Sequence, residues 1–227
     1  MSEAPLPSAT VVLLRDSHAL ELLLLQRAPH SDGRPGPWVF PGGKVDAADR
    51  IGLEGEGESD DHRGAALRAA VRETREEAGL AIAARELVPI SRWITPEIAP
   101  RRFDTWFFLS AIASEGRVQV DGSEIVDHRW TEPSAALDAH HGGEIRLAPP
   151  TFVTVTWLAG HARAEEALRK LGAADTLTFR PRICRVEGGA CMLYPGDAGY
   201  ERGDPEAAGP RHRLWALPDY CYERSGA

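Results

Sequence analysis

The chain has 227 residues, of which 43% are apolar and 26% charged, and a formal net charge of −8. That composition belongs to an ordinary folded protein and excludes disorder, collagen and coiled coil. The acidic balance argues against a nucleic-acid partner, because duplex affinity comes from many Lys and Arg neutralising phosphates, whereas a small anionic ligand screened by a metal stays open. Along the chain, Ser8 to Leu14 and Leu20 to Gln26 are short apolar runs separated by Arg15-Asp16-Ser17-His18, which predicts a hairpin of buried strands. Residues 28–37 hold Pro29, Gly33, Pro35, Gly36 and Pro37 and read as a loop before Trp38-Val39-Phe40 and Pro41-Gly42-Gly43. Residues Asp46 to Asp61 are acidic and Gly-rich and read as a surface loop.

Asp61 to Ala78 is the clearest helix, rich in Ala and closed by Gly79. Strands are predicted at Leu87 to Trp93, Phe103 to Ala111, Arg117 to Val120 and Ile125 to Trp130. A short helix begins at Thr131-Glu132-Pro133, and one longer helix is predicted over Pro150 to Leu171. Beyond it come strands at Phe179 to Val186 and Ala190 to Tyr194, a loop from Gly196 to Pro210 and a last strand near Leu214. Cys184 and Cys191 flank a Glu187-Gly188-Gly189 turn symmetrically and would face each other across a hairpin, in disulfide range, though a cytosolic compartment favours thiols. His140 and His141 are read as loop residues, since adjacent histidines point in different directions. No apolar run approaches the roughly 18 residues that span a bilayer, and no basic-then-apolar leader is present, so a cytoplasmic protein without a membrane partner is expected.

The chemistry concentrates in the best helix. Glu73, Glu76 and Glu77 stand at relative positions 0, 3 and 4, within an arc of roughly 100°. Their mutual repulsion is relieved best by a hard divalent cation such as Mg²⁺ or Mn²⁺, which takes oxygen ligands beside substrate phosphates. Gly43 together with Arg72-Glu73-x-x-Glu76-Glu77-x-Gly79-Leu80 resembles the box of the Nudix hydrolases, Gly-x5-Glu-x7-Arg-Glu-U-x-Glu-Glu-x-Gly-U with U apolar, and the chain is identified as a member of that family. The resemblance implies an α/β (α+β) fold, an α/β/α sandwich on a mixed β-sheet over residues 1–172. A C-terminal β-hairpin extension, 173–227, would pack on the same domain, extending the sheet, covering the site or forming a homodimer interface.

Counted back from Arg72, the first Glu of the box falls on Gly64, and the span from Gly43 to Arg72 is about fifteen residues too long. The box therefore reads as lacking that Glu and holding an insertion at about 46–61, as in the branch that contains the acyl-CoA diphosphatases. The run Leu23-Leu24-Leu25-Gln26-Arg27-Ala28, then Gly36, then Phe40-Pro41-Gly42-Gly43 keeps the spacing of the CoA-cleaving members, except that Asp32 replaces an Arg suited to the 3′-phosphate of CoA. Arg101 and Arg102 are candidates to supply that contact.

By resemblance Glu73, Glu76 and Glu77 would bind the metal with the Gly43 carbonyl, and Arg72 would hold the carboxylates. A general base would come from a later loop, Glu124 first, with Glu97 and Glu115 as alternatives. Arg27 and Phe40 would contact substrate, and Trp38, Trp93 and Phe103 are candidates to stack on adenine, line an acyl channel or fill the core. The implied reaction is metal-assisted hydrolysis of a nucleoside diphosphate linked to another group, CoA or acyl-CoA giving 3′,5′-ADP and (acyl-)4′-phosphopantetheine. ADP-ribose, NADH or a dinucleoside polyphosphate is the alternative substrate, and a non-catalytic nucleotide sensor the alternative class.

Overall fold

The computed structural model describes residues 4–29, 31, 33–51, 58–112, 117–217 and 219–226, with the backbone alone at 58–61. Strands β1 (Leu6–Asp16) and β2 (Leu20–Arg27) form the expected hairpin, with Leu14 opposite Leu22. Alternate side chains leave a strand on opposite faces. Ala9, Val11, Leu13, Leu23 and Leu25 therefore enter one apolar cluster, and Val12, Leu14, Leu22 and Leu24 the other. A near-continuous apolar strand is one buried on both sides.

Around this hairpin the main sheet adds β3 (Trp38–Val39), β4 (Gly42–Lys44), β5 (Val88–Ile94), β6 (Phe103–Ala111), β7 (Ile125–Thr131) and β8 (Leu177–Phe179). Its order is β3-β2-β1-β6-β5-β8, with β4 also on β1 and β7 on β2. The pairs β1–β6 and β5–β8 are parallel and the others antiparallel, so the sheet is mixed. Helix α1 (Glu58–Ala78) covers one face through Ala66, Ala69, Ala70 and Ala78. Helices α2 (Pro133–His141), α3 (Pro149–Leu158) and α4 (Ala164–Gly172) contribute Ala136, Phe152, Val153, Val155 and Ala167 to the other.

A second, antiparallel sheet follows, β9 (Arg182–Val186), β10 (Gly189–Leu193), β11 (Arg211–Ala216) and β12 (Tyr220–Ser225), in the order β12-β11-β10-β9. The expected hairpin is its first two strands, with Cys184 opposite Cys191 and both thiols free. Tyr194 and Leu214 belong to the same apolar cluster as Val12, Trp93 and Phe152. Trp93 stacks on Phe179 with ring centroids 3.8 Å apart and planes at 7°.

Several local expectations are corrected. The single helix over Pro150 to Leu171 is two, α3 and α4, separated by residues 159–163 with Gly160 among them. The strand over Phe179 to Val186 is likewise two, β8 and β9, because Pro181 has no N–H to give to a ladder. Arg117 to Val120 forms no strand; there Gln119 N–H caps α1 by donating to the Ala78 carbonyl at 2.9 Å. His140 and His141 end α2, not a loop, and His140 Nδ1 accepts the Leu147 N–H at 3.2 Å. Asp46 to Asp61 is not one loop: Ala47–Arg50 is a 3-10 turn with Asp49 buried, and α1 begins at Glu58.

Candidate active site

The stripe that packs α1 on the sheet also delivers the carboxylates. Positions 66, 69, 70, 73 and 77 share one helix face, alanine in the first half and Glu73 and Glu77 in the second. Alanine lets the helix approach closely, which brings both carboxylates against β4. At Gly42 φ is +157° and a Cβ would come within 2.8 Å of Thr10 Cα, so only glycine fits beside β1. Its N–H donates to Glu77 Oε2 at 2.8 Å. A Cβ on Gly43 would occupy the place of the Glu73 carboxylate. The Gly-Gly pair thus makes the cradle in which the two glutamates lie.

Burial pushes the Glu77 carboxyl up to about 7, and the Glu73 charge adds to the rise against the opposing pull of the Gly42 N–H and Arg27. Burial also raises Glu73, opposed by Arg72. Arg72 donates to Glu73 Oε1 at 2.8 Å, Glu76 Oε2 at 3.0 Å, the Lys44 carbonyl at 2.8 Å and Asp49 Oδ2 at 2.9 Å. The hydrogen bond to Asp49 is the main reason its own affinity for a proton is raised.

Asp49 is the residue that counting back from Arg72 misses. It lies at the box's own Gly-x5 spacing from Gly43, and counting forward would have found it. The box accordingly has an acid at its first position, with the extra residues between the 3-10 turn and the body of α1, and Gly64 is simply a helical residue.

Glu73, Glu77, Gly43, Arg27, Glu124 and Arg101 all line one cavity of about 570 Å³. Arg27 and Glu124 are joined by a salt bridge. The β2–β7 register shifts between Gln26 and Arg27, where Val126 is the extra residue on β7, and sets Arg27 opposite Ile125, the neighbour of Glu124. The Asp121 carboxylate fixes the facing turn by accepting the backbone N–H groups of Ser123, Glu124 and Ile125 at 2.6, 2.7 and 3.1 Å. Hydrogen bonds, first that from the Ser123 hydroxyl, hold Asp121 well below the usual carboxylate range.

Three predicted site residues lie elsewhere. Glu76 is exposed and held by Arg72 outside the cavity lining. Arg102 does not line the cavity; its Nε donates to the Thr95 carbonyl at 3.2 Å between β5 and β6. Glu97 lines a separate cleft with Arg102. Glu115 and Asp32 are outside the described residues. Phe40, Trp93 and Phe103 line an adjoining chamber of about 440 Å³, whereas Trp38 is core, with Arg129 over its ring at 5.2 Å.

Among the described residues no three His, Cys, Asp or Glu side chains form a ready metal cage. The donors still suit a hard cation: Glu73, Glu77 and Gly43 offer oxygens alone, and Mg²⁺ is typically held by one or two carboxylates, waters and substrate phosphates. No helix among the described residues is long and apolar enough to cross a membrane.

The NUDIX domain model matches residues 4–150. Acyl-coenzyme A diphosphatase NUDT19 of Homo sapiens is 28% identical over 81% of this chain and 73% of its own length. The protein of the same name from Xenopus laevis is 30% identical over 55% of this chain and 34% of its own length. The crystal structure of a NUDIX hydrolase from Alicyclobacillus acidocaldarius superposes with a TM-score of 0.64 at 25% identity, over 75% of this chain and 98% of that one. The carboxylate cradle on α1 and these likenesses agree, and the chain belongs to the Nudix family of pyrophosphatase hydrolases.

Proposed function

We propose that the protein hydrolyses the pyrophosphate bond of CoA or acyl-CoA, releasing 3′,5′-ADP and (acyl-)4′-phosphopantetheine, with Mg²⁺ or Mn²⁺ bound by Glu73, Glu77 and the Gly43 carbonyl. The observation that carries the reading is the meeting of the glutamate cradle with Arg27, Glu124 and Arg101 in one cavity that opens on an apolar chamber. Relatives named acyl-coenzyme A diphosphatase support the choice of substrate.

A cation held there by Glu73, Glu77 and the Gly43 carbonyl would supply Lewis acidity toward the phosphoryl oxygens and make water at the site more acidic. Arg72 keeps Glu73 and Glu76 oriented and is itself clamped by Asp49. Glu124 takes the proton of the attacking water, and Arg27 aims that carboxylate and adds positive charge beside the substrate. Arg101 offers a bidentate guanidinium to a phosphate of the ADP half.

The test is product analysis by chromatography after incubation with Mn²⁺ or Mg²⁺ and CoA, octanoyl-CoA, ADP-ribose, NADH or diadenosine polyphosphates. Metal-dependent release of 3′,5′-ADP from the CoA compounds is expected. AMP from ADP-ribose or NADH instead would move the substrate to the class that Asp32 favours, and binding without any product would make the protein a sensor.

A further inference from the structure

The chamber beside the catalytic cavity is built by three parts of the chain remote in sequence. Trp93, Phe107 and Phe40 come from the main sheet and its loops, Ala148 to Thr151 from the start of α3, and Pro181, Ile183 and Met192 from the C-terminal segment. Ile183 on β9 stands directly opposite Met192 on β10, so the two form one cross-strand pair. Ile183 is partly exposed, and its side chain lines the chamber together with Met192. The wall is firmly held, because β8 pairs with β5 and Trp93 stacks on Phe179.

Chamber and catalytic cavity share Thr10, Arg27, Gly42, Phe103 and Thr105, so a single ligand can occupy both. Their linings differ in charge. Of the described residues around the chamber Arg27 alone is charged, and it stands at the shared border. Lys44 and Arg101 line the catalytic cavity and not the chamber. A 3′-phosphorylated nucleotide needs cations and belongs on the Lys44 and Arg101 side. An aliphatic thioester arm gains from leaving water and belongs in the chamber, where the hydroxyls of Thr95, Thr105 and Thr151 can meet its amides. The chamber's volume, about 440 Å³, is that of a small-ligand cleft.

We propose that this chamber seats the acyl-pantetheine arm and that Ile183 and Met192 are specificity-determining residues for it. The inference rests on the acyl-CoA reading above and adds a substrate orientation and a role for the C-terminal sheet.

The experiment compares kcat/KM across acetyl-, butyryl-, hexanoyl- and octanoyl-CoA for the full-length protein, Ile183→Asp and Met192→Arg. Binding of S-octanoyl-pantetheine, which carries no nucleotide, is measured alongside by calorimetry. In the unsubstituted protein kcat/KM should climb about threefold to fourfold per added methylene until the chamber fills. Both variants should flatten the series, lowering the octanoyl-to-acetyl ratio at least about tenfold, and should lose S-octanoyl-pantetheine binding. Circular dichroism confirms folding, and Ile183→Thr, which keeps a β-branched strand residue, replaces any variant that fails to fold. An unchanged ratio with unchanged pantetheine binding in folded variants overturns the proposal, as does a loss confined to inhibition by 3′,5′-ADP, which would put adenine in the chamber. No cleavage of any CoA compound, with Ile183-dependent binding of S-octanoyl-pantetheine, would leave the chamber assignment standing and sink the acyl-CoA reaction.

Discussion

Glu77 carries a cost that the fold accepts for the sake of the site. Its folded value, about 7, lies above the ordinary 4.5, so the folded state binds the proton more tightly than the unfolded chain does. Protonation therefore favours folding: the stability is full below about pH 4.5, declines as pH rises and is lost by about 7, for a total of about 3 kcal/mol. Without metal, melting temperature should fall over that window, and Glu77→Gln, which keeps an acceptor for Gly42 N–H, should flatten the slope. A cation replaces the proton as partner of the carboxylate, so Mn²⁺ should raise the melting temperature more at pH 8 than at pH 5. The same variant should lose about 10³-fold in kcat/KM, since several kcal/mol of charge stabilisation go with the ligand. Calorimetric scans at pH 4.5, 6 and 8 with and without Mn²⁺ decide it; a metal-induced shift unchanged in Glu77→Gln would remove Glu77 from the ligand set.

The 3-10 turn and α1 act as a pair through Asp49 and Arg72, and the turn is also where a reading of residues alone is weakest. Strands β1 and β2 and helix α1 are legible because each buries a whole face: leucines alternate on the strands, and alanines repeat at helical spacing on α1. Gly42, Gly43, Glu73, Glu77, Arg27 and Glu124 are found at sequence level because each belongs to a spaced motif or stands in a turn near one. Asp49 is hidden from any count made back from Arg72 by the extra residues that follow it, although a count forward from Gly43 reaches it, and the contact at 2.9 Å pairs it with Arg72. Arg101 and Arg102 sit side by side just before β6 and line one cleft with Glu97, and only Arg101 also reaches the catalytic cavity, a distinction that the pair of letters does not carry. Asp49→Ala should free Arg72 from one side and lower kcat/KM about 10- to 100-fold with little change in KM, the usual range for partners that orient ligands. Asp49→Glu, the side chain of the family's box, should restore most of the rate, whereas an equal loss in both variants would mean that the turn matters only for its backbone.

The C-terminal segment is bound into the whole molecule by contacts that its local pattern conceals. Three roles are open for it at sequence level, and the structure shows it extending the main sheet through β8 and lining the chamber through Pro181, Ile183 and Met192. Its second sheet turns on Arg213, 1% exposed, which meets both carboxylate oxygens of Asp197 at 2.7 and 2.6 Å. Asp197 also accepts the N–H groups of His212 and Gly199, each at 2.8 Å. Asp197→Ala would strand a buried guanidinium, a loss of about 3–5 kcal/mol that corresponds to a melting temperature lower by about 10 °C for a chain of this size. Replacing both partners, Asp197→Leu with Arg213→Met, should recover part of the loss, because the desolvation penalty goes with the charges. Tyr194 and Leu214 share one apolar cluster with Val12 and Phe152, so either change should lower a single transition in which near- and far-ultraviolet circular dichroism coincide. Two separated transitions in Asp197→Ala, the earlier one leaving CoA cleavage intact, would instead make residues 173–227 an independent unit and detach them from the site.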